Sequence, residues 1–293
     1  MVYIIINMLN SFIRKNIFKP IFSHLTAGET IESLKHKINH LHTQNLFPIV
    51  DYIKESNISN HSINNSILHY IKLSDISNID YIGIKLSSFG FNEDKIDYLC
   101  DALIERDKKI LIDAEDVNNQ DKINKITNNL LEKYNTNDLH IYKTYQMYRK
   151  DSYCMLKNDI NNFNYLGIKL VRGAYYHQDY KSGKLFTDIS YTDAAYHDAM
   201  DLIFSSKNTH SFICTHNYIS IYKLLDFVEN NKEESNKLAH ASLYGFINGE
   251  TDKIIKSGIT TYKYLPYGQF DESIPYLTRR LYENPKILFY LLK

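Results

Sequence analysis

From residue 48 onward, eight short apolar, β-branched runs alternate with longer segments of helical period, and no other feature narrows the fold as far. The runs cover residues 48–52, 81–86, 110–115, 139–145, 166–173, 211–216, 237–244 and 261–266. Their starts lie roughly 25 to 45 residues apart, which leaves room for one crossover helix each. They are too uniformly apolar for antiparallel strands with one wet face, so buried parallel strands are expected. Eight such units in 293 residues predict an α/β fold, a closed (βα)8 barrel of the TIM type. A doubly wound open sheet is the other architecture with this alternation. Residues 1–24 read as a helical arm, Gly28 punctuates, and Thr30 caps a second helix running to about His42. The domain reading is one unit over 1–293, with an N-terminal helical arm (1–45) and the barrel (46–293).

Charge excludes some partners. Lys plus Arg and Asp plus Glu number 34 each, so no global field points to nucleic acid or to an anionic membrane. The three cysteines, Cys100, Cys154 and Cys214, form no CxxC pair; they argue against a disulfide framework and read as small buried apolar residues in a reducing compartment. The apolar start of the chain is broken by Asn7, Asn10, Arg14 and Lys15, well short of the roughly 18 residues of a membrane span. Neither a transmembrane segment nor a targeting peptide is expected. His36 and His40 have metal spacing but lack a third ligand, so a solvated helix face is expected and no metal site.

In a (βα)8 barrel, chemistry sits at the C-terminal ends of the strands. Polar residues collect there: Lys85, Asp113 with Glu115, Gln146, Arg172 with Gly173, Thr215-His216-Asn217, and Tyr264. Singly, each has a structural explanation, such as an ion pair between Lys85 and Asp113 or a helix cap at His216. Together they describe one polar mouth. Beyond the eighth run a helix places Tyr276, Arg279, Arg280 and Glu283 on one face and Ile274, Leu277 and Leu281 on the other. Asp271 or Ser273 is its expected N-cap, with Pro275 in the first turn. Two adjacent guanidiniums suit a carboxylate or phosphate, although a solvated helix face has the same pattern.

The stretches Ile84-Lys-Leu-Ser87, Ile112-Asp-Ala-Glu115, Thr144-Tyr-Gln-Met-Tyr148, Lys169-Leu-Val-Arg-Gly-Ala-Tyr175, Thr215-His-Asn217, Leu243-Tyr-Gly245 and Tyr264-Leu-Pro-Tyr-Gly268, continuing to Asn284, follow one another along the chain. In order and spacing they resemble the proline dehydrogenase family, in its monofunctional, mitochondrial-type branch. The resemblance implies a distorted (βα)8 barrel holding FAD, with the last helix over the mouth, oxidising L-proline to 1-pyrroline-5-carboxylate and passing electrons to a quinone. It implies Asp113 and Lys169 as catalytic residues, the latter near flavin N5, and Lys85, Tyr264, Arg279 and Arg280 as substrate-binding residues. Ala114, Gln146, Val171, Arg172, Gly173, Ala174, Tyr176, Thr215, His216 and Asn217 correspond to cofactor-binding positions, with Arg172 and Gly173 at the pyrophosphate. Tyr264 favours proline over hydroxyproline. No GxGxxG occurs, so a Rossmann-type flavin site is not expected.

Ser242 and Ile189 depart from the family pattern, Ile189 standing where a basic residue often helps hold the cofactor. The apolar segment 285–293 is expected to pack on the barrel, with peripheral contact to a quinone-bearing membrane as the alternative. The implied location is the cytoplasm or the matrix side of a mitochondrion. Two other functions stay open: a related flavin barrel acting on hydroxyproline or another cyclic amino acid, and a catalytically inactive barrel used for binding.

Overall fold

The computed structural model describes residues 18–54, 59–246 and 249–283. Each of the eight runs forms a strand: β1 Phe47–Tyr52, β2 Tyr81–Ile84, β3 Lys109–Ile112, β4 Ile141–Gln146, β5 Leu166–Val171, β6 Thr209–Cys214, β7 Leu238–Leu243 and β8 Thr260–Tyr267. All neighbours are parallel, and β8 returns to pair with β1, Ile49 opposite Tyr264. The sheet is therefore the closed barrel, not the open alternative. β2 stops earlier than its apolar run because residues 86–89 tighten into a 3-10 turn that ends at Gly90 in the left-handed region.

The helices are α1 Lys19–Leu25, α2 Ile31–Thr43, α3 Asn60–Ser74, α4 Glu93–Ile104, α5 Val117–Tyr134, α6 Ser152–Asn162, α7 Tyr176–Asp179, α8 Ile189–Ser205, α9 Tyr218–Asn230, α10 Thr251–Lys256 and α11 Phe270–Glu283. Thr30 caps α2 as expected, accepting from Ser33 N while Ser33 Oγ accepts from Thr30 N. Apolar residues on the outer strand faces and inner helix faces form the main core, with Ile82, Ile110, Ile168, Ile213 and Leu265 fully buried. Cys100 is buried, whereas Cys154 is exposed, so the expectation of three buried cysteines fails there.

Inside the barrel the period-two alternation divides the lumen into two storeys. Toward the strand N-termini, Tyr81, Tyr142, Phe212 and Tyr262 meet edge to face, with centroids 4.9 to 5.6 Å apart. Such pairs contribute about 0.5 to 1.5 kcal/mol each beyond burial, and they make a packed floor. Further along, the inward positions include Asp51, Asp113, Thr144, Lys169 and Tyr264, and this storey opens to the mouth.

The arm and the last helix are stitched together over that mouth. Ala27 N donates to Pro266 O at 2.8 Å and Gly268 N to Gly28 O at 3.1 Å. Ile21, Phe22 and Leu25 of α1 pack with Ile53, Tyr276 and Leu277. Phe270 N, the first amide of α11, donates to Glu29 Oε2 at 3.2 Å. That carboxylate, brought from the arm, lets the helix begin at Phe270, ahead of Asp271 and Ser273, and Pro275 consequently lies inside the helix rather than in its first turn.

Candidate active site

Four charged residues from four strand ends form one continuous string. Lys85 Nζ donates to Asp51 Oδ2 at 2.7 Å and to Asp113 Oδ2 at 3.1 Å, and Lys169 Nζ donates to Asp113 Oδ1 at 2.6 Å. The phenol of Tyr264 adds a bond to Asp113 Oδ2 at 2.5 Å, and Lys169 Nζ lies 4.3 Å from the centre of that ring. All five side chains are buried. Burial alone would raise the Asp113 carboxyl, but Lys169 and Lys85 outweigh it and hold Asp113 well below the usual carboxylate range. Burial wins at Asp51, whose carboxyl is raised despite Lys85. Burial and the Asp113 charge push the Tyr264 phenol well up, so it stays neutral. Asp113 is thus a fixed anion that orients two ammonium groups and one phenol.

Gly83 makes room for this arrangement: a Cβ there would stand 3.0 Å from the Tyr264 hydroxyl. Across the mouth, α11 contributes Tyr276, Arg279 and Arg280 to the same cavity, about 620 Å³ in volume. That volume suits a small substrate with part of a cofactor. The Arg279 guanidinium lies 5.1 Å from the Tyr175 ring centre and that of Arg280 5.4 Å from Tyr276. The side chain of Glu283 lies outside the described residues.

The outer part of the cavity runs over the ends of β4, β5 and β6. Gln146 Nε2 donates to Glu115 O at 3.0 Å, while its Oε1 is buried with no hydrogen-bond partner among the described residues. His216 Nε2 accepts from Leu243 N at 3.0 Å, which puts the proton of the neutral ring on Nδ1. The ring borders the open cavity yet is closely surrounded; loss of solvent, with Lys263, His240 and Arg280 nearby, lowers its pKa to about 4. Asn217 caps α9 through Oδ1, accepting from Ile219 N and Ser220 N. Gly173, at φ +134, needs to be glycine because the Tyr148 ring occupies the Cβ position.

Lys85, Asp113, Ala114, Gln146, Lys169, Val171, Arg172, Gly173, Ala174, Thr215, His216, Asn217, Tyr264, Arg279 and Arg280 all line this one cavity. Two expectations fall elsewhere. Tyr176 is absent from the wall; its hydroxyl donates to Thr187 O and its ring stacks on Tyr180, whereas the preceding Tyr175 lines the cavity. Glu115 is turned to Ser87, accepting from its amide at 3.1 Å and its hydroxyl at 2.5 Å. Sequence reasoning assigned no role to Asp51, Tyr175 or Asp193. The lone aspartate in the apolar run Phe47-Pro-Ile-Val-Asp51 was the available signal for the first.

The closed parallel (βα)8 barrel thus carries buried lysines, a fixed carboxylate and the helix bearing Arg279 and Arg280 at its C-terminal mouth. The proline dehydrogenase family model matches residues 31–288, and the chain belongs to that family. It is 26% identical over 276 residues to the mitochondrial proline dehydrogenase 1 of Caenorhabditis elegans, covering 83% of this chain and 44% of that protein. Identity to the hydroxyproline dehydrogenase of Xenopus laevis is 30% over 201 residues, 61% of this chain and 42% of that one. Among solved structures, proline utilization A from Bdellovibrio bacteriovorus, inactivated by N-propargylglycine, superposes with a TM-score of 0.84 at 17% identity, covering 93% of this chain and 33% of that one. This last likeness is one of fold. The chain spans less than half the length of both relatives.

Proposed function

We propose that the protein oxidises L-proline to 1-pyrroline-5-carboxylate with FAD at the barrel mouth, and passes the electrons to a quinone. The observation that carries this reading is Asp113, gripped by Lys85, Lys169 and Tyr264 beneath the helix that bears Arg279 and Arg280. Proline is a ring with a carboxylate at one side and a secondary amine whose neighbouring carbon must give up hydride. Arg279 and Arg280 hold the carboxylate by charge-assisted pairs. Tyr264, fixed by Asp113 and backed by Gly83, packs beside the ring and sets its orientation, which is the main contribution positioning makes to such a transfer. The amine must lose a proton so that its lone pair can form the imine.

The wall fits a flavin on its reactive side. Gln146 Oε1 is an unused buried acceptor for a ring N–H, His216 offers Nδ1–H, and Lys169 supplies a positive charge. When bound there, a flavin would supply the hydride acceptor, and the Lys169 charge would favour its electron-rich reduced ring. Among the described residues no helix is long and apolar enough to cross a membrane; we place the quinone encounter at a membrane surface, on the cytoplasmic or mitochondrial matrix side.

Turnover with L-proline and a soluble quinone tests the assignment. Arg280→Met is expected to raise KM for proline roughly 10- to 150-fold, the loss of one charge-assisted bond of about 1.5 to 3 kcal/mol, while flavin content stays at the parental level. A variant with parental KM contradicts the carboxylate clamp. The likeness to a hydroxyproline dehydrogenase favours that substrate as the second reading, and a higher kcat/KM for hydroxyproline than for proline in the same assay would establish it instead.

A further inference from the structure

The amine of proline must give up a proton, and the groups around the cavity differ in their capacity to take it. Among the described residues, the carboxylates and imidazoles that line it are Asp51, Asp113, Asp193 and His216. Three of these are committed elsewhere. Asp113 accepts from Lys169 through Oδ1 and from Lys85 and Tyr264 through Oδ2, so donors hold both of its oxygens. Asp193 is paired with the Arg172 guanidinium at 2.6 Å. The lone pair of His216 Nε2 is taken by Leu243 N.

Asp51 differs. Its Oδ2 accepts one bond, from Lys85 Nζ at 2.7 Å, while Oδ1 is buried with no hydrogen-bond partner among the described residues. A buried carboxylate with one donor gains most from a proton, which removes the charge that burial disfavours. Burial accordingly raises this carboxyl against the pull of Lys85, and the Asp113 charge adds to the rise. The two carboxylates on one lysine are therefore unlike: Asp113 is anchored as an anion, and Asp51 is the one that can become neutral. The remaining groups facing Asp51 do not compete. Lys169 is bound to Asp113 Oδ1. The Tyr70 phenol, from α3, donates to Tyr52 O and Gly83 O, and burial, then the Asp51 charge, push it well up. Lys85 is the link outward, because it both touches Asp51 and lines the cavity. In an α-amino acid the amine and the carboxylate share one carbon, so a lysine that reaches the carboxylate also stands beside the amine.

We infer that Asp51 is the terminal proton acceptor of the site, reached through Lys85. Lys85 gives a proton to Asp51 Oδ2 along their hydrogen bond and takes one from the substrate ammonium. Lys85 ends as an ammonium, Asp51 as a neutral acid and the amine with its lone pair free; the proton returns through Lys85 to water once the product has left. The inference rests on the proline reading above. Its test is the rate at which saturating L-proline bleaches the bound flavin in a single anaerobic turnover, followed against pH. In the parental protein that rate is expected to change by less than about threefold between about pH 7.5 and 9.5, because the acceptor is internal. Asp51→Asn keeps the shape and removes the acceptor. It is expected to bleach about 100-fold more slowly at about pH 7.5, the contribution of a positioned base, with flavin content at the parental level. Its rate should recover roughly tenfold per pH unit, as solution supplies free amine of ordinary alkylammonium pKa, about 10. A deficit in Asp51→Asn that stays constant with pH would mean that Asp51 only supports the structure, and overturns the inference. Should that variant not fold, the parental profile decides: a level rate supports the internal acceptor, and a rate that itself climbs roughly tenfold per unit toward about pH 10 overturns it. Parental flavin that L-proline bleaches at no pH would instead overturn the proline reading.

Discussion

Asp113 receives hydrogen bonds from Lys85, Lys169 and Tyr264 in a buried setting, so its removal leaves two lysines without that anion. Asp113→Asn is expected to destabilise the fold by roughly 3 to 5 kcal/mol, as for other broken buried pairs, measured by urea unfolding. The sign of its pH dependence follows from its lowered folded pKa. The unfolded protein binds the extra proton in acid, so the carboxylate's stabilisation is complete above the unfolded value of about 4 and is lost as pH falls below it. The difference between parent and variant should therefore be constant from pH 5 to 7 and shrink below about pH 4; a difference that grows in acid contradicts this role. At this scale the sequence was informative wherever a polar residue ended an apolar run, as at Lys85, Asp113 and Tyr264. It offered one pair, Lys85 with Asp113, which the structure contains, and was silent on the others. Nothing in spacing says that Arg172 turns to Asp193, or that Gly173 makes room for the Tyr148 ring, because both depend on contacts between separate segments.

Among the elements, α11 depends most on a distant partner. Its amphipathic face was legible, and Tyr276, Arg279 and Arg280 do reach the cavity. Its start was not, because the acceptor for its first amide, Glu29, comes from the arm some 240 residues earlier. Local capping rules look only a few residues away. Glu29→Ala is expected to cost about 1 kcal/mol, a typical cap contribution, and to raise KM for proline several-fold more than it weakens flavin, since the helix carries Arg279 and Arg280, the proposed carboxylate clamp. Equal effects on both ligands would mean that α11 does not depend on this cap for its placement. Tyr175 and Tyr176 make the same point for a loop: adjacent aromatic residues point in different directions, and no periodicity over so short a segment decides which one lines the site.

For the whole molecule, the eight-run rhythm was enough to choose parallel strands and a barrel, because apolar runs buried on both faces leave few other arrangements. The pairing of β8 with β1, which excludes the open sheet, is a closure no single run encodes. The two-storey lumen was only half visible: polar strand ends announced the mouth, whereas the interlocked floor of Tyr81, Tyr142, Phe212 and Tyr262 looked like ordinary strand aromatics. The proposed reaction joins these scales, with the barrel presenting the Asp113 carboxylate and the Tyr264 phenol beneath the helix that carries Arg279 and Arg280. Anaerobic addition of L-proline to the flavin-loaded protein tests it most directly. The account predicts that the yellow flavin band bleaches with proline and not with an equal concentration of D-proline, and a band that no concentration of L-proline bleaches would contradict it.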